Sequence, residues 1–340
     1  MKLKMLKKPF IKLISIKKFR KMHSSNELHN AGSLVRSITD SNFIENSIFS
    51  SLGLESINDV STIKRTYHSL FDIMRKYEHR IDFALMKKEK KDVITGGTLG
   101  CTVSFNANPV DDNGKNNHAI GAFLFKVADL YEKGIIVFRN NDDLLILRKL
   151  VKYLEKIKYW KSPDVGLWNG EEALNASSVG ACVAGLKRIS RFIKIDDELI
   201  EKGMRTLKLL LPWESAEKHC DLALLSLIFP YNVVNEKQKA SILKNVERTL
   251  VKENGVMRHK GDSFQNKAGE ARWTVGLPWL AKIFKDMGDT KKYDHYINRT
   301  RKIMNWKGEI PDYFKSDSYF PEINKSNTWS TSMYLVATSC

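Results

Sequence analysis

Apolar side chains recur along this chain at the spacing of a helical face, segment after segment. That periodicity limits the fold more than any other feature. Ile63, Tyr67, Leu70, Phe71, Met74 and Tyr77 form one stripe. Val179, Cys182, Val183, Leu186 and Ile189 form another at i, i+3, i+4 and i+7. Leu34, Ile38, Phe43, Ile44, Ile48, Phe49 and Leu52 fit one helix or two. Further helices are predicted at 118–133, 142–159, 175–193, 197–211, 217–230, 236–253, 271–287, 290–306 and 327–338. Strand patterns are nearly absent, apart from the alternating VITGGTLGCTVSF, which predicts a small β-hairpin near 91–107. About eleven helices on alternating short and long connections describe repeated helix hairpins in an all-α chain. Hydrophobicity alone leaves a solenoid, an orthogonal bundle and a closed toroid open.

Composition excludes several classes. Hydrophobic residues at 42% suffice for a core. No stretch of about 18 apolar residues occurs, so no membrane span is expected. Cys101, Cys182, Cys220 and Cys340 lack metal-ligand spacing, so no metal site is expected. Cys182 and Cys220 lie among apolar residues and read as reduced core thiols, consistent with a cytoplasmic protein. The net charge of +17 is uneven, because residues 1–26 carry nine Lys or Arg and no acid. This predicts a basic tail over 1–30, either a disordered or surface-helical segment or an organelle-targeting one, ahead of one domain over 31–340. The body has no basic helix with interleaved aromatics, so no nucleic-acid partner is expected. Gly96, Gly97 and Gly100 lack the strand–turn–helix setting of a nucleotide loop, and no Gly-x-Ser-x-Gly elbow occurs. No cofactor is expected.

One stretch carries chemistry. In PDVGLWNGEEALNASSVGACVAGL, Pro163 to Leu186, a turn leads to Trp168, then to Asn169, Glu171 and Glu172, and then to a helix start. An indole plate and neighbouring acids suit a pyranose ring and its glycosidic oxygen.

This stretch resembles the central motif of the glucoamylase-type enzymes, glycoside hydrolase family 15. It is also similar to the related domain of the phosphorylase kinase regulatory α and β subunits. NNHAIGAFLFKVADLYEKG (116–134), GEARWTVGLPWL (269–280) and GEIPDYF with TWSTSMYLVA (308–337) resemble other family segments in the same order. The resemblance implies an (α/α)6 barrel of paired helices, with an irregular or incomplete first hairpin. It implies a carbohydrate ligand, an α-glucoside, bound where the inner helices begin. Trp168, Trp273 and Trp329 are implied sugar plates, and Glu270, Arg258, Lys260 and His118 substrate contacts.

The catalytic positions depart from that pattern. Inversion needs an acid and a base roughly 6.5–9.5 Å apart. The resemblance puts the acid directly after the motif Trp, where this chain has Asn169, an amide without an acidic proton. Glu171 and Glu172 are the nearest substitutes. The base falls at Asp312 of Ile310-Pro311-Asp312, one methylene short of the family's Glu. A misplacement of about 1 Å can cost on the order of 100-fold. An early Arg-Asp pair that grips sugar hydroxyls falls at Glu45-Asn46, and an Asp is replaced by His118. Two readings follow: a hydrolase using Glu171 or Glu172 with Asp312, or a non-hydrolytic sugar-binding or regulatory relative.

Overall fold

The computed structural model describes residues 43–86, 115–168, 170–264, 269–306, 308–316 and 328–339. The basic tail and the hairpin expected near 91–107 lie outside them. In chain order the elements begin with helices α1 (Phe43–Ser56), α2 (Val60–Lys76), α3 (Glu78–Met86), α4 (Asn117–Glu132) and α5 (Asn141–Lys156). Next come α6 (Ala176–Ile189), α7 (Asp197–Leu210), α8 (Leu225–Ile228) and α9 (Glu236–Thr249). Strands β1 (Val251–Lys252), β2 (Gly255–Val256) and β3 (Arg272–Trp273) precede α10 (Gly276–Asp286) and α11 (Thr290–Lys302). β4 (Tyr313–Phe314) and α12 (Thr328–Thr338) follow. No helix among the described residues is long and apolar enough to cross a membrane.

The chain divides into two units. The first holds Lys64–Leu211 together with Glu45, and the second holds Asn46–Ile63 and Pro212–Cys340. The first is built on two helices without a polar face. α4 is buried from Asn117 through Leu130, and α6 from Ala176 through Leu186. They approach to backbone contact because glycines leave the space. A Cβ on Gly121 would sit 2.4 Å from Cys182 N, and one on Gly185 would sit 2.4 Å from the Gly121 carbonyl oxygen. Around this pair, α5 and α7 bury one face only, as their stripes predict. Asn140 caps α5 through the Asp142 and Asp143 amides, and Asp196 caps α7 through the Glu198 amide.

A lysine lies inside this core. Lys126 is fully buried and its Nζ donates to Asp129 Oδ2 at 2.6 Å. Asp129 also takes Lys133 at 2.8 Å and Arg188 at 2.5 Å. Burial pushes the Asp129 carboxyl up, but the lysines outweigh it and hold it at about 2.

In the second unit the four strands form one antiparallel sheet in the order β1-β2-β3-β4. β1 and β2 join through the two-residue turn Glu253-Asn254, with Lys252 opposite Gly255. Gly255 is required there, since a Cβ would lie 2.9 Å from the Arg272 carbonyl. β3 pairs with β4 through Trp273 opposite Tyr313. α10 is buried along most of its length, and Trp279 Nε1 donates to the Phe229 carbonyl at 2.8 Å.

The structure corrects several predicted bounds. The helix expected at 217–230 is reduced to a 3-10 turn at Leu222–Leu224 and the single turn of α8. The helices expected to end at 253 and to begin at 271 give residues to β1 and β3 instead, because those residues find cross-strand partners.

Gly121→Ala is expected to destabilise by about 1–3 kcal/mol through overpacking at the α4–α6 contact, read as a lowered urea midpoint. Asp129→Ala strands Lys126 in the core and is expected to cost about 3–5 kcal/mol, read in the same assay.

Candidate functional site

In the first unit the Trp168 loop hangs on one carboxylate. Asp164 is 1% exposed. Its Oδ2 accepts the backbone N–H of Asn117 at 3.0 Å and of His118 at 3.3 Å, two unfilled donors at the start of α4. Asn175 Nδ2 donates to Asp164 Oδ1 at 3.2 Å and to the Asp164 carbonyl at 2.8 Å. Asp164 and Ala173 also exchange backbone hydrogen bonds at 2.9 and 3.0 Å. Residues 164–173 are thereby drawn into a closed loop, with Gly166 turning it at φ +68°. Trp168 sits half-buried on this loop.

Beside it, Asn116 caps α4 by accepting from the Ala119 amide at 2.9 Å, and its Nδ2 donates to Glu45 Oε1 at 2.6 Å. Glu45 is 2% exposed, and burial pushes its carboxyl up to about 7. Burial likewise raises Asp164 to about 6, against the hydrogen bonds that favour its charge.

The residues expected in this unit are placed unevenly. Glu171 and Glu172 are exposed, and Glu172 Oε1 accepts the Lys115 amide at 3.3 Å. His118, expected as a substrate contact, is wholly buried, and its imidazole is pushed down to about 3 by that burial. Its ring is a neutral core group. Asn169 lies outside the described residues.

In the second unit the sheet gathers four expected residues. Arg258 is 7% exposed and forms a two-pronged pair with Asp262, Nε to Oδ2 at 2.7 Å and Nη2 to Oδ1 at 2.6 Å. Burial raises the Asp262 carboxyl, but Arg258 outweighs it and the net shift is downward. Glu270 Oε1 accepts the Gly261 amide at 2.7 Å, which ties the 258–262 turn to β3 and lowers its carboxyl. Trp273 lies half-buried on β3. Asp312 stands just before β4, and its carbonyl accepts the Thr274 amide at 3.1 Å. Arg258, Glu270, Trp273 and Asp312 therefore share one sheet and its turn.

Lys260 projects to solvent on the same turn. Trp329, expected as a sugar plate, is instead 5% exposed and stacks on Phe49 at 4.3 Å. It belongs to the core of this unit because α12 directs it inward against Phe49 and Trp279. Sequence reasoning passed over Asp164 and Asp262 as residues that frame these two places. For Asp262 the signal was present, an Arg and an Asp four apart across a turn, but turn geometry alone does not announce an ion pair. Among the described residues no His, Cys, Asp and Glu group is placed to hold a metal.

No protein-family model matches the chain. It is 27% identical over 174 residues to phosphorylase b kinase regulatory subunit alpha of Caenorhabditis elegans, covering 45% of this chain and 14% of that protein. The corresponding Drosophila melanogaster subunit is 24% identical over 248 residues, covering 59% and 19%. An uncharacterized glycosyl hydrolase of Methanocaldococcus jannaschii is 22% identical over 225 residues, covering 56% and 36%. The chain thus spans no more than 36% of the length of these relatives. Among solved structures, a glycosidase variant in complex with glucose superposes with a TM-score of 0.71 at 17% identity, covering 92% of this chain and 97% of that one. A bacterial glucoamylase complexed with acarbose superposes at 0.62 with 14% identity, covering 87% and 48%. The chain carries the mostly helical (α/α)6 glycosidase fold that the sequence resemblance implies, with a small antiparallel sheet.

The raised carboxyls set a pH dependence. The folded state holds the Glu45 proton up to about 7, while an exposed Glu releases it near 4.5. The Glu45 contribution to stability is therefore expected to fall as pH rises from 4.5 to about 7 and then to level off, while buried His118 acts in the opposite sense up to 6.5. Urea unfolding across that range should show the unaltered protein losing stability relative to Glu45→Gln as pH rises, the Gln amide oxygen still accepting from Asn116.

Proposed function

We propose that this protein binds α-linked glucosides, such as maltooligosaccharide, glucan or trehalose, on a glycosidase fold whose hydrolytic machinery has decayed. The observation that carries this reading is the Trp168 loop. Its frame of Asp164, Asn175 and the α4 amides is complete, yet the residue after the indole is an amide, Asn169. An amide hydrogen-bonds a sugar hydroxyl but supplies no acidic proton. Glu171 and Glu172 stand exposed in water, whereas catalytic acids of this chemistry work from sheltered pockets. Asp312 keeps a carboxylate with a shorter reach. Trp168 and Trp273 offer flat apolar faces to pyranose C–H groups. Glu270 and Lys260 supply polar groups along the sheet turn, which the buried Arg258–Asp262 pair orders.

The relatives support this reading from two sides. The glycosidase complex with glucose carries the same fold, and the phosphorylase b kinase subunits are named as regulatory. We place the protein in the cytoplasm, where its cysteines stay reduced; Cys182 and Cys220 are free thiols. The second reading keeps hydrolysis, with Glu171 or Glu172 as acid and Asp312 as base in an inverting, exo-acting enzyme like a glucoamylase or trehalase.

Purified protein incubated with maltooligosaccharides and trehalose decides between them. Binding without glucose release is expected, with release emerging in the double variant Asn169→Glu/Asp312→Glu. Release by the unaltered protein that disappears in Asp312→Ala would establish the hydrolase instead. Neither binding nor release would defeat both readings.

A further inference from the structure

Phe264 is an aromatic that nothing above assigns. It stands 43% exposed on the turn that carries Arg258 and Asp262. Four observations set it apart from an ordinary surface phenylalanine. Its backbone N–H donates to Asp262 Oδ1 at 3.1 Å, the same oxygen that holds Arg258 Nη2. Its ring lies 5.3 Å from Trp273, the two planes inclined at 43°. Tyr313, 4% exposed, buttresses both, 5.2 Å from Trp273 and edge-on to Phe264 at 5.9 Å. Behind them the Arg258 guanidinium is within reach of both rings, 5.0 Å from the Phe264 centroid and 4.7 Å from that of Trp273.

A buried ion pair is a weak device for stability, because apolar residues of similar volume serve as well. It is a good device for geometry. The planar guanidinium has a fork for one carboxylate and faces for aromatic rings, and lysine cannot reproduce that combination. One carboxylate, through one arginine and one backbone amide, therefore sets the position of two rings that reach the surface.

The geometry points to Phe264 and Trp273 as a joint platform for the C–H face of an α-glucoside ring, with the Arg258–Asp262 pair as the positioning device that holds it. The inference rests on the carbohydrate-binding reading and deepens it. Phe264 becomes a ligand-contacting residue. Arg258, expected from the sequence to reach sugar hydroxyls itself, becomes a residue that acts through the rings.

Calorimetric titration of the full chain with maltotriose tests this. The Phe264→Ala variant should bind about three- to tenfold more weakly, with a cooperative unfolding transition and only a modestly lowered Tm, because the ring is 43% exposed. The double variant Arg258→Met/Asp262→Leu removes both charges together; it should retain its Tm, bind about as weakly as Phe264→Ala, and lose near-ultraviolet dichroism from the ordered indole. Arg258→Lys, which keeps the charge and loses the fork, gives an independent reading and should weaken binding with the same dichroic change. Absence of maltotriose binding in the unaltered protein would sink the carbohydrate reading itself. Binding by the unaltered protein that Phe264→Ala leaves intact would overturn only the platform. Wild-type affinity in Arg258→Lys or in the double variant would overturn the positioning role.

Discussion

A single buried carboxylate, Asp164, is the constraint on which the first unit's functional end depends. An ionised or protonated carboxyl at 1% exposure is unfavourable unless its oxygens are occupied. Here they are occupied by the α4 amides of Asn117 and His118 and by the Asn175 side chain. Each of those partners has its own need. The amides at a helix start have no acceptor within the helix, and Asn175 stands immediately before α6. One group thus satisfies the start of α4, anchors the residue that precedes α6 and closes the loop that presents Trp168. The requirement is mutual, so the arrangement is specified rather than merely permitted.

The second unit solves the same problem with a sheet. Strands of two residues each gain little individually, yet β3 and β4 bring Trp273 opposite Tyr313, next to Asp312, across a long stretch of sequence. Thr274 reinforces the join. Its hydroxyl donates to the Pro311 carbonyl at 2.5 Å and exchanges a 3.0 Å hydrogen bond with Ser330. The Arg258–Asp262 pair then orders the turn that β2 leads into. In both units, buried polar groups do the positioning while apolar helices supply the bulk of stability.

This division explains how a scaffold can persist while its chemistry changes. Asp164, Asn175, Gly121 and Gly185 answer to packing and hydrogen-bond demands that any ligand-binding version of the fold must meet. Asn169 and Asp312 stand where the sequence resemblance implies proton transfer, a demand separate from these. An amide rather than a carboxylate after Trp168 is compatible with an intact cradle, and the sugar-binding role proposed above needs no more than the cradle and its rings.

Helix existence was determined by the sequence almost throughout, because burial of one face imposes a 3.6-residue period that survives in any context. The free cysteines at Cys182 and Cys220, the place of the Trp168 turn and the fold class were legible by pattern or resemblance. Tertiary structure alone decided the rest. The short strands carry no period, and β3 and β4 exist only because partners distant in sequence meet. His118 and Trp329 resemble exposed ligand contacts in the sequence, yet both are buried, since burial depends on what packs opposite a residue. Glu45, Asp164 and Asp262 acquire their roles from groups 71, 47 and 4 residues away. Periodicity records how a residue faces its own helix; a carboxyl's charge and a ring's orientation record what surrounds it in three dimensions.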